Sequence, residues 1–460
     1  MTAIYSNRQV ASARPQPGAR AALLLLLLIN LFNYMDRQVL SAVVGPIKAA
    51  FFGTGAGLGA DPGAGRDDAL SAIMEWSQQH LGFKPEDALV GLLGTAFLLM
   101  YMIGAPVFGR LAERWRRWML IGVGVILWSL ATGASGMAMT FGLLLVARCF
   151  VGIGEAAYGP IAPSLISDLY PLHSRGRMLA WFYMAIPVGS ALGYVLGGYV
   201  AASNIGAWLA PITGEPPESW RWAFYVAALP GLLLGILCLF VRIDPRGGAR
   251  EPSAHWADYR AFLATPSYTL CTLGMAAMTF ALGGIAFWMP YFLETRPAAP
   301  AQSTFYFGVI TVVAGLSATL CGGFLADWLR PRLPSSYFLV SGVAMFAGFP
   351  FFLAALYAPF PWIWVFIFLT VFCLFFNTGP TNTILANVIH PAKRAAAFAL
   401  NIFVIHALGD VISPVVIGLL SDRLHDLGQA FLIVGLTILL AGILWLAGGP
   451  HLQRDTVADA

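Results

Sequence analysis

The sequence predicts an all-α membrane protein with twelve transmembrane helices, and three observations lead to this prediction. Hydrophobic residues make up 58% of the 460 residues, only 10% are charged, and the mean hydropathy is +0.75. Soluble domains carry about 25% charged residues, so a water-soluble core could not bury this much apolar surface. The apolar runs have the length of a spanning helix, about 20 residues, rather than that of a barrel strand.

The twelve apolar runs divide evenly around one charged connector. The predicted spans are residues 21–50, 89–112, 118–138, 140–167, 176–204, 220–242, 266–294, 304–328, 335–357, 360–389, 393–421 and 427–449. The connector contains Trp256 and Phe262 among arginines, which predicts a short interfacial helix. The expected organisation is a tail (1–20), a six-helix bundle (21–242), a linker (243–265), a second six-helix bundle (266–449) and a tail (450–460).

The first external loop, residues 52–88, is unusually long. Its glycine-rich start predicts flexibility, and the stretch from Asp67 to Leu81 predicts a small amphipathic helix. Two interpretations remain open: the loop caps the outer mouth of the bundle, or it is an insertion without a function.

The distribution of lysine and arginine predicts the orientation. With both termini in the cytoplasm, 18 of the 26 basic residues lie inside, six lie outside and two lie within spans. This bias follows the positive-inside rule. We therefore expect a multi-pass protein of the bacterial inner (plasma) membrane with cytoplasmic termini.

Three spans end in a glycine followed four residues later by an acid: Gly109 with Glu113, Gly323 with Asp327, and Gly418 with Asp422. The first two endings lie six spans apart, which indicates two related halves. Glycine allows two helices to approach closely, and the acid can bond backbone donors or a basic residue at a neighbouring helix end.

These residues carry a resemblance to a known family. The segment from Gly109 to Arg117, GRLAERWRR, resembles the loop motif of the major facilitator superfamily, with Glu113 where aspartate is usual. A more specific resemblance, to the spinster-like branch, rests on NYMDR in span 1, VGIGEAAY in span 4, FYMAIPVGS in span 5 and HALGDVISP in span 11.

The resemblance implies the fold of that superfamily, two pseudo-symmetric six-helix bundles, and a transporter rather than an enzyme. It implies an amphipathic substrate, a lysophospholipid or sphingoid-phosphate-like lipid, with the proton as coupling ion and no cofactor. The expected partners are this lipid and the bilayer, with no nucleic acid, and the protein is expected to be monomeric. The residues that we assign to gating are Gly109, Glu113, Arg114, Arg117 and Asp327.

Four charged residues lie within spans 1 and 4, where each costs about 2.5–3.5 kcal/mol at mid-bilayer. Asp36 lies roughly 24 Å along a helix from Arg20, near the midplane. Asp36 and Arg37 point about 100° apart and cannot neutralise each other face to face. Because Arg148 and Glu155 are two turns apart on one face, we predict that Asp36 pairs with Arg148 and Glu155 with Arg37.

This four-residue cluster has two interpretations. One is a fixed clamp within the N-terminal half; the other, which we favour, is that Asp36 and Glu155 change protonation during transport. Movement of an arginine away from a carboxylate would let that carboxylate capture a proton. In this hypothesis Arg37 and Arg148 are the charge partners of the carboxylates and also hold the phosphate of the substrate.

A second polar patch is predicted in the C-terminal half. His406 and Asp410 share a face of span 11 and are placed to form a hydrogen bond, and Thr378 and Asn382 share a face of span 10. Cavity lining and a structural role in holding helices together are equally compatible with this pattern.

Other features leave alternatives open. Gly189, Gly193 and Gly197 predict a close-packing face of span 5 or, secondarily, a sliding surface. The superfamily framework also suits a carrier of small organic anions or sugars, and a proton-independent lipid facilitator or scramblase would use the same cavity. The five cysteines show no metal-ligand spacing, and enzyme motifs such as HExxH and GxSxG are absent from the sequence.

Overall fold

The computed structural model describes residues 15–53, 68–112, 114–205, 207–208, 219–245, 256–300, 302–390 and 393–457. Within these ranges, twelve helices are long and apolar enough to cross a membrane, which confirms the predicted fold class. Spans 1 to 6 are Ala19–Ala42, Glu86–Ala112, Arg117–Met137, Phe141–Leu169, Arg177–Ala202 and Trp220–Phe240. Spans 7 to 12 are Pro266–Glu294, Ser303–Leu329, Ser336–Tyr357, Ile363–Val388, Ala396–Leu424 and Leu427–Asp455.

Span 1 is shorter than predicted. Its helix ends at Ala42, and a separate helix, Val44–Phe52, follows after Val43. Pro46 has no N–H to donate to the carbonyl of Ala42, so the regular hydrogen-bond ladder stops at this point. The prediction of one continuous helix over residues 21–50 is therefore wrong.

Spans 4, 10 and 11 are also interrupted. Span 4 consists of Phe141–Ala156 and Ile161–Leu169, and span 10 consists of Ile363–Phe375 and Thr378–Val388. Span 11 contains a π-helical turn, His406–Asp410, in which Gly409 has the non-helical angles φ −109° and ψ −106°. Such turns in α-helices often occur at functional sites.

The two short helices predicted outside the spans are present, whereas the interfacial position expected of the linker helix stays a prediction. The first-loop helix is Asp68–His80, and it buries Leu70 and Ser77. The linker helix is Trp256–Ala264, and it buries Phe262. The glycine-rich part of the first loop lies outside the described residues, and the cap and insertion interpretations of this loop stay open.

Span 5 packs tightly against span 1 through its glycines. A Cβ added at Gly189 would collide with the carbonyl oxygen of Leu31, and one added at Gly193 would collide with that of Met35. The close-packing interpretation of this face is therefore confirmed, and a sliding role stays a prediction. The packing fixes the rotation of span 1 and so the direction of its charged residues.

The two halves meet at the end of the bundle that carries the first loop, which we call the loop end. There, Gly91 of span 2 lies against the carbonyl of Pro414 of span 11, and Thr95 donates a hydrogen bond to the carbonyl of Val411. At the opposite end, the linker end, a Cβ added at Gly109 of span 2 would have no atom within 4 Å. Span 2 thus contacts the C-terminal half through its first turns.

Candidate functional site

Asp36 is held by span 3 rather than by span 4. Its side chain is buried (2% exposed), and its Oδ2 accepts a 2.5 Å hydrogen bond from the Thr132 hydroxyl. The other carboxylate oxygen, Oδ1, is buried without a hydrogen-bond partner among the described residues. A buried polar atom in this state is unusual and calls for a functional or structural reason.

Arg37 and Glu155 form the ion pair that the sequence predicts between spans 1 and 4. Arg37 Nε donates to Glu155 Oε2 at 2.7 Å, and the Glu155 side chain is fully buried. Arg37 keeps 15% of its side chain exposed. The pair therefore joins a buried carboxylate to a cation at the edge of accessible space.

Aromatic rings surround the two arginines of the cluster. The Arg37 guanidinium lies 4.7 Å from the ring centre of Tyr34, 5.2 Å from that of Phe97 and 4.9 Å from that of Tyr101. The Arg148 guanidinium lies 5.1 Å from the same Phe97 ring. Ring faces attract cations within about 6 Å, so Phe97 of span 2 stabilises both arginines.

The predicted ion pair between Asp36 and Arg148 is not formed. Both side chains are described and buried, and Arg148 still interacts electrostatically with Asp36 at longer range. However, Asp36 uses Thr132 as its donor. Arg148 lies against the ring of Phe97, and its Nε and Nη1 have no hydrogen-bond partner within the part of the chain that the structure describes. The reason is that neighbouring spans 2 and 3 contribute groups that compete for both side chains.

The cluster therefore combines one completed ion pair with unused bonding capacity. Asp36 Oδ1 and Glu155 Oε1 can each accept a hydrogen bond, and Arg148 can donate at two nitrogens. Buried carboxylates with a free oxygen are chemically able to take up a proton. Buried guanidinium nitrogens are able to hold a phosphate.

In the second polar patch, the predicted hydrogen bond within span 11 is present. His406 Nδ1 lies 2.9 Å and 3.0 Å from the two carboxylate oxygens of Asp410, across the π-helical turn. On span 10, Thr378 donates to the carbonyl of Phe375, and Asn382 donates to the carbonyl of Thr378. These last two bonds stay within span 10, and they favour neither of the two roles predicted for the patch.

Among the predicted gating residues, Arg117 is the most constrained. It forms ion pairs with Asp168 at 2.6 Å and Asp244 at 2.8 Å, and its guanidinium also donates to the Pro245 carbonyl. Arg117 thereby fastens the start of the linker to spans 3 and 4. The sequence gives no indication of these partners, because they lie 51 and 127 residues away along the chain.

The other gating residues are less engaged. Arg114 is exposed, Gly109 has open space in front of it, and Glu113 lies outside the described residues. In the C-terminal half, Asp327 accepts a 2.8 Å hydrogen bond from the hydroxyl of Tyr337. The gating role of all these residues stays a prediction.

A polar cluster at the loop end was not predicted as a site. The carboxylate of Asp422 accepts hydrogen bonds from the backbone N–H groups of Asp87 (2.9 Å) and Ala88 (2.8 Å), across the two halves. Ser421 donates to Asp87 at 2.6 Å, and Lys48 forms an ion pair with the same carboxylate. The GxxxD ending of span 11 was the available signal, since such an acid is expected to bond backbone donors.

The charge of Lys48 is stabilised by this cluster. Burial by itself would lower the pKa of the Lys48 ammonium, but the carboxylate of Asp87 outweighs burial, and the pKa is raised. Lys48 is therefore protonated throughout the neutral range, and its ion pair with Asp87 does not act as a switch near pH 7.

Comparisons with known proteins agree with this architecture. The family model described as Major Facilitator Superfamily matches residues 26–414. Protein spinster homolog 1 of Homo sapiens is 36% identical over 440 residues, which cover 89% of this chain and 74% of that protein. The sphingosine-1-phosphate transporter SPNS2 of Danio rerio is 30% identical over 97% of this chain and 89% of its own length.

Solved structures share the fold. A bacterial homologue of the human lysosomal transporter Spinster, in an inward-facing and unoccupied conformation, superposes with a TM-score of 0.78 at 22% identity. It covers 97% of this chain and 100% of its own. A D-xylose-proton symporter reaches a TM-score of 0.70 at 18% identity, over 95% of this chain and 99% of its own. From its sequence relatives and its twelve spans, this chain belongs to the spinster-like branch of the major facilitator superfamily and is an integral membrane transporter rather than an enzyme.

Proposed function

We propose that the protein is a proton-coupled transporter of an amphipathic lipid that carries a phosphate, and that it works by alternating access. The observation that carries this proposal is the unequal pairing in the cluster of spans 1 and 4. One ion pair, Arg37 with Glu155, is formed, while Asp36 and Arg148 keep buried polar atoms that have no hydrogen-bond partner among the described residues. A purely structural clamp would be expected to satisfy these atoms.

The proton step follows from the geometry of the ion pair. Arg37 is the partly exposed residue of the pair with Glu155. A substrate anion therefore contacts Arg37 before Glu155, and a movement of span 1 displaces Arg37 directly. When Arg37 leaves Glu155, a buried carboxylate without its cation is strongly disfavoured and takes up a proton. Return of Arg37 releases that proton, and Asp36 provides a second acidic group beside Arg148.

The conformation fits one half of such a cycle. The halves are joined at the loop end by Asp422 and by Thr95, so that end is closed in this structure. With both termini in the cytoplasm, as the basic residues predict, this is an inward-facing arrangement. Conversion to the outward-facing state would have to break the Asp422 contacts and would change the surroundings of Arg37.

The substrate class is supported by charge and by relatives. Arg148 has two nitrogens that no described residue hydrogen-bonds, and it lies against Phe97. This combination of cation and apolar ring suits a phosphate joined to an alkyl chain. The Danio rerio relative is named a sphingosine-1-phosphate transporter. These two observations together favour a lysolipid over a sugar or another small organic anion.

The test is uptake of radiolabelled sphingosine-1-phosphate into proteoliposomes with and without an imposed pH gradient. We expect the gradient to drive uptake in the unaltered protein, and Asp36→Asn and Glu155→Gln to abolish the gradient-driven component. Glu75→Gln, which neutralises an exposed carboxylate of the first-loop helix, is the matched control and should behave like the unaltered protein.

Three results would contradict the proposal. Undiminished gradient-driven uptake in both Asp36→Asn and Glu155→Gln would remove these carboxylates from proton coupling. Equal uptake with and without the gradient in the unaltered protein would instead indicate a proton-independent facilitator. If an excess of a simple sugar or organic anion inhibited uptake and an excess of lysolipid did not, the substrate would be such a small solute and not a lipid.

A further inference from the structure

A cavity of about 260 Å³ lies at the linker end of the N-terminal half, away from the contact between the halves. It is formed by the first turns of span 1 and by the segment that enters span 5. Its lining combines apolar and basic side chains, among them Arg20, Leu23, Leu27, Tyr170, Arg177 and Met178. The four-residue cluster of spans 1 and 4 contributes no side chain to its described lining.

The charged groups that line this cavity are both cations. Arg20 and Arg177 are exposed cations that line it from two different spans. Tyr170 is only 6% exposed, and its hydroxyl has no hydrogen-bond partner among the described residues. Burial raises the pKa of Tyr170, and the charge of Arg20 opposes this shift, so the phenol is a neutral donor close to a cation.

The orientation of the neighbouring helices adds to this positive character. Arg20 stands in the first turn of the helix Ala19–Ala42, and Tyr170 comes shortly before the start of the helix Leu172–Ala202. Helix N-termini carry partial positive charge. Two cations, an unsatisfied phenol donor and two helix starts therefore surround one cavity, and no carboxylate belongs to its described lining.

We propose that this cavity binds the phosphate headgroup of an anionic phospholipid from the bilayer leaflet at the linker end. Arg20 and Arg177 hold the phosphate, Tyr170 donates a hydrogen bond to one of its oxygens, and an acyl chain lies along Leu23, Leu24 and Leu27. The volume suits a phosphate and the glycerol carbons next to it, whereas the chains extend into the bilayer. This site is separate from the proposed transport route and does not depend on the proposed function.

The test is native mass spectrometry of the purified protein with dioleoyl phosphatidylglycerol, and with neutral dioleoylglycerol as the uncharged comparison lipid. We expect the double variant Arg20→Gln/Arg177→Gln to retain about tenfold less phosphatidylglycerol, which corresponds to about 1.4 kcal/mol, because both exposed cations of the cavity are lost. Tyr170→Phe, which removes only the hydroxyl, should lower retention about threefold. The control is Arg110→Gln/Arg332→Gln, two exposed arginines predicted at the same end, and it should retain the lipid normally.

Equal retention by the Arg20→Gln/Arg177→Gln variant and the control would overturn the site. So would equal retention of phosphatidylglycerol and dioleoylglycerol by the unaltered protein, because the cavity would then not recognise phosphate. Displacement of the lipid by millimolar inorganic phosphate would show that the anion alone is the ligand and would overturn the acyl-chain part. If the Arg20→Gln/Arg177→Gln variant does not fold, Tyr170→Phe still tests the site. Unchanged retention of phosphatidylglycerol by Tyr170→Phe would contradict the proposal.

Discussion

The N-terminal half and the C-terminal half both place charged residues within their spans, but they satisfy them differently. In the N-terminal half, charges on spans 1 and 4 contact groups from spans 2 and 3, and several of their polar atoms have no partner among the residues that the structure describes. In the C-terminal half, His406 and Asp410 of a single span bond each other and remain 28% and 19% exposed. Two side chains that bond each other on one helix keep the same partner when helices move. Side chains whose partners lie on several helices change partners whenever those helices move.

The largest expected effect comes from breaking the buried ion pair. Glu155→Leu leaves the Arg37 cation without its carboxylate, and we expect a loss of about 3–5 kcal/mol in the free energy of unfolding. The double variant Arg37→Met/Glu155→Leu removes both charges and should recover most of that loss. Unfolding by sodium dodecyl sulfate titration measures both effects.

The same double variant separates a clamp from a proton site. If the ion pair serves proton coupling, the double variant should be stable and yet show no gradient-driven uptake. A stable double variant that still transports with the gradient would show that the pair is a structural clamp.

Asp36→Asn should affect transport far more than stability. The amide oxygen of asparagine can still accept the hydrogen bond of Thr132, so the free energy of unfolding should change by less than about 1 kcal/mol. Gradient-driven uptake should fall about tenfold or more, because the titratable group is lost. Thr132→Val is the complementary variant: it removes the hydrogen bond, keeps the charge and should retain gradient-driven uptake. If Thr132→Val also lost most of the gradient-driven uptake, the position of the Asp36 side chain, and not its charge alone, would be what transport requires.

The loop end should open when its cross-half hydrogen bonds are removed. Asp422→Ala leaves two backbone donors at the start of span 2 without their acceptor, at a cost of about 1–3 kcal/mol, which corresponds to about a 5–150-fold shift in the equilibrium. Double electron–electron resonance between labels at positions 84 and 423, in a chain without other cysteines, should show a longer distance. Unchanged distances would mean that other contacts hold this end closed.

The contribution of Lys48 to the loop end should not depend on pH in the neutral range. Because its pKa is raised, the ion pair with Asp87 is present at neutral pH and is lost only as the pH rises through that raised value. Between about pH 6 and 9, Lys48 therefore stays protonated, and its titration should cause no change in the distance between the labels. A pH-dependent distance that disappears in Lys48→Gln would contradict this interpretation.

The smallest expected effect lies in the C-terminal pair. Partly exposed polar side-chain pairs contribute about 0.2–1 kcal/mol, so His406→Gln should reduce gradient-driven uptake by less than about fivefold. Asp410→Asn, which alters the other partner, should behave similarly. A tenfold or greater loss in either variant would place this pair on the transport route and would weaken the contrast between the halves.

The sequence was sufficient for the fold because span length, hydropathy and the six-span repeat are properties of continuous segments. Similarly, helical spacing predicts the shared face of Arg148 and Glu155. It also predicts the bond between His406 and Asp410, although it gives no indication of the π-helical turn that this bond crosses. The pairing of Arg37 with Glu155 was also predictable, since two adjacent charges on span 1 required partners on another helix.

The remaining contacts depend on which spans are neighbours, and that information is not local. Thr132 is an ordinary polar residue of span 3, and only the packing of spans 1 and 3 makes it the donor for Asp36. Phe97 looks like any apolar residue of span 2, yet both arginines stack on it. The prediction of a bond between Asp36 and Arg148 was wrong because it considered charged residues only, whereas the competing groups, Thr132 and Phe97, are uncharged.

The anchoring of the linker by Arg117 sets an upper limit on the motion of the two halves. One end of the linker is fixed to the N-terminal half through Asp244 and Pro245, and Asp258 of the linker helix is fixed to Lys393 at the start of span 11. The covalent tether between these anchors is therefore the chain from 245 to 256. At full extension a chain of this length reaches about 36–40 Å, and this value is the upper limit that covalent connection sets on the distance between the two anchors.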